Sequence, residues 1–176
     1  NNVSLYKVYL LDHYQPQTVN MRIRALNCFL KFQGIMITEY APPASAEKNT
    51  DYIISQADYE YLKRRLREDE QYTFYFIIRF ITATGVRVSE LISFQIQDVI
   101  NGYKDIYSKG NKMRRVYIPT TLQEDTLRWL ESESRKNGPL FLKSPQTGIS
   151  VSGIRSQLKT FAYRYHLDPK VVYPIL

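Results

Sequence analysis

The sequence predicts a mainly α-helical protein with a small antiparallel β-sheet, which is an α+β fold. Apolar residues recur every three or four positions in several separate windows, as in amphipathic helices. Residues 102–118 instead alternate apolar and polar residues around a turn, as in two paired strands. Residues 41–51 have the proline-containing, aperiodic composition of a linker. We therefore expect a helical part at residues 1–40 and a larger domain at residues 52–176.

The charge of the chain indicates a polyanionic partner. The 176 residues include 24 Lys and Arg against 17 Asp and Glu, which gives a net charge of +7. Such a surplus suits nucleic acid or an anionic membrane surface, and it does not choose between them. No apolar run is long enough to span a bilayer and no signal-peptide pattern opens the chain, so we expect an intracellular, cytoplasmic protein. One cysteine and two distant histidines lack the spacing of metal ligands, so we expect no metal site.

Two helices are predicted in the N-terminal part. The first covers much of residues 1–14, and the second begins at Thr18 as its N-cap and ends at Gly34. Its apolar stripe consists of Val19, Ile23, Leu26 and Leu30. Cys28 lies inside this helix and is predicted to be a small core residue.

Arg22 and Arg24 interrupt the apolar stripe of that second helix. They fit a solvated helix face, and they also fit phosphate contacts from a helix that lies on a DNA duplex. We predict them as DNA-binding residues, with the solvated face as the alternative.

The larger domain is predicted to have a buried helix at its centre. Ser55 begins a helix as its N-cap, because an acidic residue follows three positions later. Residues 72–82 are apolar nearly all round, as in a fully buried helix. Arg79 interrupts this run and needs a partner if it is buried. Ser152 is predicted to cap a later helix.

A basic hairpin is predicted at residues 102–118. Two alternating segments flank the turn residues Lys-Gly-Asn-Lys at 109–112. Its charged residues are Lys104, Lys109, Lys112, Arg114 and Arg115, against Asp105. A β-ribbon of this charge fits a DNA contact, and it equally fits an exposed strand edge protected by charge.

Residues 84–91 join two apolar segments and predict a helix, a tight turn and a second helix. Gly85 can adopt the backbone angles of the turn, and Arg87 then lies at the start of the second helix. The free N–H groups and the arginine there favour an anion. From the pattern alone, an ordinary surface pair between Arg87 and Glu90 is the favoured explanation.

The exact sequence of this stretch resembles a known family. Residues 84–91 read Thr-Gly-Val-Arg-Val-Ser-Glu-Leu, which closely resembles the first conserved box of the tyrosine recombinases, the phage-integrase family. Residues 108–112 read Ser-Lys-Gly-Asn-Lys and resemble the family's hairpin, whose lysine reaches DNA. The resemblance implies a transposon or phage integrase. It implies a partial helical core-binding domain at residues 1–40 and the N-terminal portion of a catalytic domain at residues 52–176.

The same resemblance implies a reaction. In this family a tyrosine hydroxyl attacks a DNA phosphodiester and forms a 3′-phosphotyrosyl link. Arg87 matches the first phosphate-binding arginine, Glu90 the acidic residue that braces the site, and Lys109 the hairpin lysine that protonates the leaving 5′-oxygen. Lys112 is the nearest competitor for that last role. With the Arg87 box at the expected place in the chain, the DNA contact is the favoured interpretation of the hairpin, and we predict Lys112, Arg114 and Arg115 as DNA-binding residues. Neither a metal nor another cofactor is required. The implied partner is double-stranded DNA, with self-association as a tetramer on DNA.

The chain departs from the family pattern near its end. The His-x-x-Arg box should follow a segment such as Val-Tyr-Pro at residues 172–174, and only Ile175 and Leu176 follow. The third box and the tail with the nucleophile are not found either, and none of the 15 tyrosines stands in that context. We therefore expect a fragment of an enzyme that is inactive by itself.

Other classes of protein remain open from the sequence. A non-catalytic DNA-binding module could keep this fold and bind duplexes without cleaving them. A type IB topoisomerase shares the chemistry and would relax circular DNA without site specificity. A helical protein-interaction domain with incidental basic charge would show no salt-dependent affinity for DNA.

Overall fold

A computed structural model describes residues 2–35, 53–108, 112–144 and 147–172. The chain forms two compact units, Asn1–Asn49 and Thr50–Leu176. The predicted linker at residues 41–51 lies outside the described residues. The mainly helical α+β fold predicted from the sequence is confirmed.

The first unit is a pair of helices, α1 (Asn2–His13) and α2 (Pro16–Phe32), packed around Leu10, Val19 and Ile23. Gly34 ends α2 with a φ of +73°, as predicted.

Two local predictions in α2 are wrong. The helix begins at Pro16 and not after Thr18, because the fixed φ of proline suits the first helical position. Cys28 is exposed and not in the core. It lies five positions beyond Ile23, which is about 140° around an α-helix and turns it away from the buried stripe.

The second unit contains seven helices and two small sheets within its described residues. In chain order they are α3 (Gln56–Glu68), α4 (Tyr72–Thr84), α5 (Val88–Leu91), α6 (Ile96–Asn101), β1 (Tyr103–Ser108), β2 (Lys112–Tyr117), α7 (Thr120–Ser132), β3 (Leu142–Ser144), β4 (Thr147–Gly148), α8 (Val151–Arg164) and α9 (Pro169–Val172). Strand β1 pairs with β2 and β3 with β4, both antiparallel.

Helix α4 forms the centre of this unit, as predicted. The ring of Phe80 is fully buried and meets the rings of Phe94 and Phe141 edge to face, at 5.8 and 5.6 Å between centroids. Such aromatic pairs add to the stabilisation from area burial alone. Arg79 has the partner that its position requires, because its Nη2 donates to Asp125 Oδ2 at 2.7 Å.

The helix starts in this unit match the predictions in part. Ser55 caps α3 and accepts a hydrogen bond from the Asp58 backbone N–H at 3.1 Å, as predicted. Helix α8 is capped by Ser150 and not by Ser152, since Ser150 Oγ accepts from the Gly153 N–H at 3.1 Å. Ser152 therefore lies within the first turn of the helix.

The hairpin of β1 and β2 has one inward and one outward face. Ile106 and Val116 are buried against the core of the unit. The register pairs Lys104 with Val116 and Ile106 with Arg114, so each inward row combines one apolar and one basic side chain. The outward face carries the exposed side chains of Tyr107, Met113, Arg115 and Tyr117.

Candidate functional site

The turn between α4 and α5 presents Arg87 to solvent. Gly85 takes a φ of +64° and ends α4 through a hydrogen bond from its N–H to Ile81 O at 3.0 Å. Val86 and Val88 on either side of Arg87 are fully buried. These two anchors fix the backbone, while the Arg87 side chain remains 56% exposed.

The Glu90 carboxylate lies beneath this turn and accepts hydrogen bonds from Arg87 at two places. Its Oε2 accepts from the Arg87 backbone N–H at 2.8 Å, and its Oε1 accepts from Arg87 Nη1 at a long 3.3 Å. The surface pair that the pattern allowed is therefore present, with weak contact between the two side chains. The other N–H groups of the Arg87 guanidinium have no acceptor among the described residues.

A second arginine binds the same carboxylate from the hairpin. Arg114 Nη2 donates to Glu90 Oε2 at 2.7 Å, and the Glu90 side chain is only 13% exposed. Burial by itself raises the pKa of Glu90, but the Arg87 N–H and the Arg114 guanidinium outweigh it and lower that pKa below its ordinary value. The carboxylate is thus held in its charged form. We call Arg87, Glu90 and Arg114 the Glu90 clamp.

A matching arrangement lies one helix further along the chain. Asp98 is the third residue of α6, and its Oδ2 accepts from the Gln95 backbone N–H at 2.8 Å and from Lys104 Nζ at 2.7 Å. Lys104 is also 5.3 Å from the centroid of the Phe94 ring. We call Gln95, Asp98 and Lys104 the Asp98 clamp. The two clamps together attach both strands of the hairpin to the helical core.

The outward face of the hairpin contains a neutralised arginine. Arg115 donates from Nε and Nη2 to the two Asp105 oxygens, each at 2.8 Å, and stacks 4.0 Å from the Tyr103 ring centroid. The Arg115 hydrogen bonds lower the pKa of Asp105. Both arginines predicted to contact DNA from this hairpin, Arg114 and Arg115, are therefore ion-paired within the chain.

The general acid is predicted at one of the two lysines of the hairpin turn. Lys109, the predicted proton donor, lies outside the described residues. Lys112 begins β2, where its backbone pairs with Ser108. Their assignments remain predictions.

The two arginines predicted to bind DNA in the first unit differ from each other. The Arg22 guanidinium lies over the Tyr14 ring at 3.9 Å from its centroid. Arg24 is exposed on α2. Arg22 is half-buried, and the DNA contact of both arginines stays a prediction.

Neither a metal cluster nor a membrane-spanning helix is found among the described residues. Within those ranges, no three His, Cys, Asp or Glu side chains are grouped closely enough to hold a metal ion. Among the described helices, none combines the length and the apolar character needed to cross a membrane.

Sequence reasoning missed the role of Arg114 in the site. The signal was present, because Arg114 stands two residues before the apolar Val116 and therefore shares its inward face. Charge alone grouped Arg114 with Arg115 as predicted DNA contacts. Strand alternation would have separated Lys104 and Arg114, which face inward, from Arg115, which faces outward.

Comparison with known proteins gives a consistent family. The model of the phage integrase family matches residues 47–173. The tyrosine recombinase XerA of Pyrococcus furiosus is 24% identical over 144 residues, which are 74% of this chain and 47% of that protein. The tyrosine recombinase XerD of Staphylococcus haemolyticus is 32% identical over 100 residues, or 52% of this chain and 34% of that protein. The chain thus spans about half or less of the curated relatives it matches.

Solved structures share the fold. The Tn1549 transposon integrase in complex with a circular intermediate DNA superposes with a TM-score of 0.69 at 14% identity, over 97% of this chain and 68% of that one. The crystal structure of XerA recombinase gives a TM-score of 0.56 at 19% identity, over 97% and 64% of the two chains. Because the family model covers most of the sequence and includes the Arg87 turn and the hairpin, the chain belongs to the phage integrase family of tyrosine recombinases.

Proposed function

We propose that this chain supplies part of the catalytic site of a site-specific DNA recombinase, an enzyme that integrates or excises DNA through a 3′-phosphotyrosyl intermediate. The observation that supports this most strongly is the exposed Arg87 guanidinium on a turn fixed by two buried valines and braced by Glu90. A chain of this family with such a group has a ready site for a DNA phosphate.

The proposed work of Arg87 is electrostatic. When the attacking tyrosine adds to the phosphorus, negative charge grows on the non-bridging oxygens. A planar guanidinium can donate to both oxygens at once and therefore binds the transition state more strongly than the ground state. Because its backbone is fixed by Glu90, little reorganisation is needed when the charge appears.

Lys109 is the proposed general acid. The hairpin lysine would give a proton to the 5′-oxygen as the P–O bond breaks, which completes the transfer of the phosphoryl group to tyrosine. Lys112 is the competing candidate, since it lies only three positions further along the chain. The second arginine and the nucleophilic tyrosine of the family are not recognised in these 176 residues, so we expect this chain to form no covalent complex by itself.

The proposed partner is double-stranded DNA. The net charge of +7 suits the phosphate backbone, and one neighbour in fold was solved in complex with circular intermediate DNA. We assign residues 1–40 to a DNA-binding core domain, through Arg22 and Arg24, and residues 52–176 to the catalytic domain. A DNA-associated location in the cytoplasm and a tetramer on DNA are part of the same proposal.

DNA binding is tested first on the chain itself. Fluorescence anisotropy with a labelled duplex should show a log affinity that falls linearly with log salt concentration, because bound lysines and arginines release counterions. A flat salt response, or no binding at low salt, would contradict the proposal and favour a protein-interaction domain.

Cleavage is tested next with nicked suicide duplexes, chosen for binding from a random-sequence pool. We expect no covalent band on a denaturing gel from the 176-residue chain, and a band from the full-length product of its gene. A band from the chain alone that a Tyr→Phe substitution abolishes would show that the nucleophile had been overlooked here. Binding without any band from the full-length product would favour a non-catalytic module. Relaxation of circles without site preference would favour a topoisomerase.

The general acid is tested by changing the leaving group. In the full-length product, Lys109→Ala should slow cleavage, and a 5′-bridging sulfur should restore it because a thiolate leaves without a proton. Lys112→Ala is the control and should weaken DNA binding only modestly. Rescue of Lys112→Ala alone would move the acid to Lys112, and rescue of neither would leave the hairpin as a DNA-binding element.

A further inference from the structure

We infer that Arg114 is a positioning residue for Arg87, which it serves by competing with the Arg87 guanidinium for the shared Glu90 carboxylate. This inference rests on the proposed function of Arg87. It assigns Arg114 a different role from the DNA contact that the charge of the hairpin suggested, and it makes strand β2 part of the catalytic machinery.

The hydrogen-bond distances around Glu90 show which arginine its carboxylate binds more strongly. Arg114 Nη2 and the Arg87 backbone N–H both bind Oε2, at 2.7 and 2.8 Å. Arg87 Nη1 reaches only Oε1, at 3.3 Å. Of the two guanidinium groups, the one on the hairpin therefore has the shorter and stronger bond.

This division matters because a carboxylate can neutralise the arginine that it braces. If Arg114 were absent, no second guanidinium would compete with Arg87 for the Glu90 carboxylate, whose side chain is only 13% exposed. The Arg87 side chain would then fold down onto Glu90. A phosphate would have to displace that pair before it could bind.

The surroundings of Arg114 favour this role over a DNA contact. Arg114 projects from the inward face of the hairpin, where Ile106 is its cross-strand partner and the next inward residue, Val116, is buried. Its side chain is 40% exposed and its charge is balanced by Glu90. Lys104 has the same relation to Asp98, which provides a matched control on the same face of the same hairpin.

The first test needs no catalysis and uses the 176-residue chain. Nitrogen-15 NMR of the Arg87 guanidinium should show slower exchange of its side-chain N–H protons in Arg114→Met than in the wild type, because the guanidinium then binds Glu90 more tightly. The same measurement in Lys104→Met should give the wild-type result for Arg87. Unchanged exchange of the Arg87 protons in Arg114→Met would overturn the inference.

The second test measures cleavage by the full-length product under single-turnover conditions with saturating nicked suicide duplex. Arg114→Met should slow the covalent step about tenfold, which is modest beside the cost of misplacing a reacting group outright. Lys104→Met removes the same charge from the same face and should cleave at the wild-type rate. Arg114→Lys should recover part of the loss, since it restores a positive charge beside Glu90 without the fork.

A double-mutant cycle identifies the route of the effect. If Arg114 acts through Glu90, the pair Arg114→Met and Glu90→Gln should cleave no more slowly than Glu90→Gln alone. Additive losses would contradict the inference, and so would a large fall in DNA affinity for Arg114→Met with an unchanged rate. Failure of the proposed function is distinct, because then Arg87→Lys would also leave cleavage unaffected.

Discussion

The Glu90 clamp and the Asp98 clamp share one hydrogen-bond pattern and differ in the residue that precedes the helix. In each, the third residue of a short helix is an acid that accepts from the backbone N–H before the helix, at 2.8 Å in both cases. In each, the same carboxylate oxygen accepts from a basic residue of the hairpin, at 2.7 Å in both cases. The local sequence pattern and the hydrogen-bond lengths are nearly identical.

The difference lies in the residue before each helix. In the Asp98 clamp that residue is Gln95, which adds no charge, and the cation Lys104 is only 15% exposed. In the Glu90 clamp it is Arg87, which is 56% exposed and only loosely paired. A closed ion pair fixes the hairpin to the core. The Arg114–Glu90 pair also fixes the hairpin, while the loosely paired Arg87 presents its charge to solvent. The exposed charge of the cap residue Arg87 therefore distinguishes the candidate catalytic clamp from the structural one.

The largest expected effect is on the cleavage rate, when the cap residue of each clamp is substituted in turn in the full-length product. Arg87→Lys keeps the charge but loses the two-pronged geometry, so we expect cleavage to fall roughly 100- to 1,000-fold while duplex affinity survives. Gln95→Ala at the equivalent place should cleave normally. Single-turnover gels and anisotropy measure both quantities. Equal loss in the two variants would remove the distinction between the clamps.

A smaller effect is expected on stability, where the Asp98 clamp should lose more than the Glu90 clamp. Lys104→Met keeps the apolar stem over Phe94 but leaves Asp98 without its cation in an enclosed place, so we expect a loss of about 2 kcal/mol in the free energy of unfolding. Arg114→Met removes a more exposed partner and leaves Glu90 with its hydrogen bonds from Arg87, so it should lose about 1 kcal/mol or less. Chemical denaturation of the 176-residue chain gives both values. A greater loss for Arg114→Met would reverse the proposed roles.

The pH dependence of stability should reveal the Glu90 clamp. The pKa of Glu90 is lowered from its ordinary value of 4.5, so its stabilising contribution is complete above pH 4.5 and is lost as the pH falls through the lower folded-state value. We therefore expect the stability difference between wild type and Glu90→Gln to shrink below pH 4.5. Denaturation curves at several pH values test this. A difference that grew on acidification would contradict the assigned direction of the shift.

The smallest effect should come from the outward pair of the hairpin. Asp105 and Arg115 form a well-aligned but solvated ion pair, which screening and side-chain entropy weaken. We expect Asp105→Asn to shift the unfolding midpoint less than Lys104→Met or Arg114→Met. A larger shift would mean that the outward face, and not the clamps, secures the hairpin.

Much of this arrangement could be predicted from local sequence. The turn at Gly85, the hairpin at residues 102–118 and the buried α4 follow from glycine, alternation and apolar periodicity, which act over a few residues. The Arg87–Glu90 pair was also predictable, since residues three apart are neighbours on a helix.

The rest depends on contacts between distant parts of the chain. Arg114 and Glu90 are 24 residues apart, and only the docking of the hairpin brings them together. Local rules also failed where two neighbouring residues competed for one position, as Ser150 displaced Ser152 at the start of α8. Lys109 remains a prediction because it lies outside the described residues.

We propose that the Glu90 clamp serves chemistry while the Asp98 clamp serves folding. The most direct test measures two quantities, the single-turnover cleavage rate and the free energy of unfolding, for Glu90→Gln and Asp98→Asn in the full-length product. We predict a crossover in which Glu90→Gln loses more rate and Asp98→Asn loses more stability at an unchanged rate. If both variants instead lose rate in proportion to their loss of stability, the two clamps are equivalent and the account is wrong.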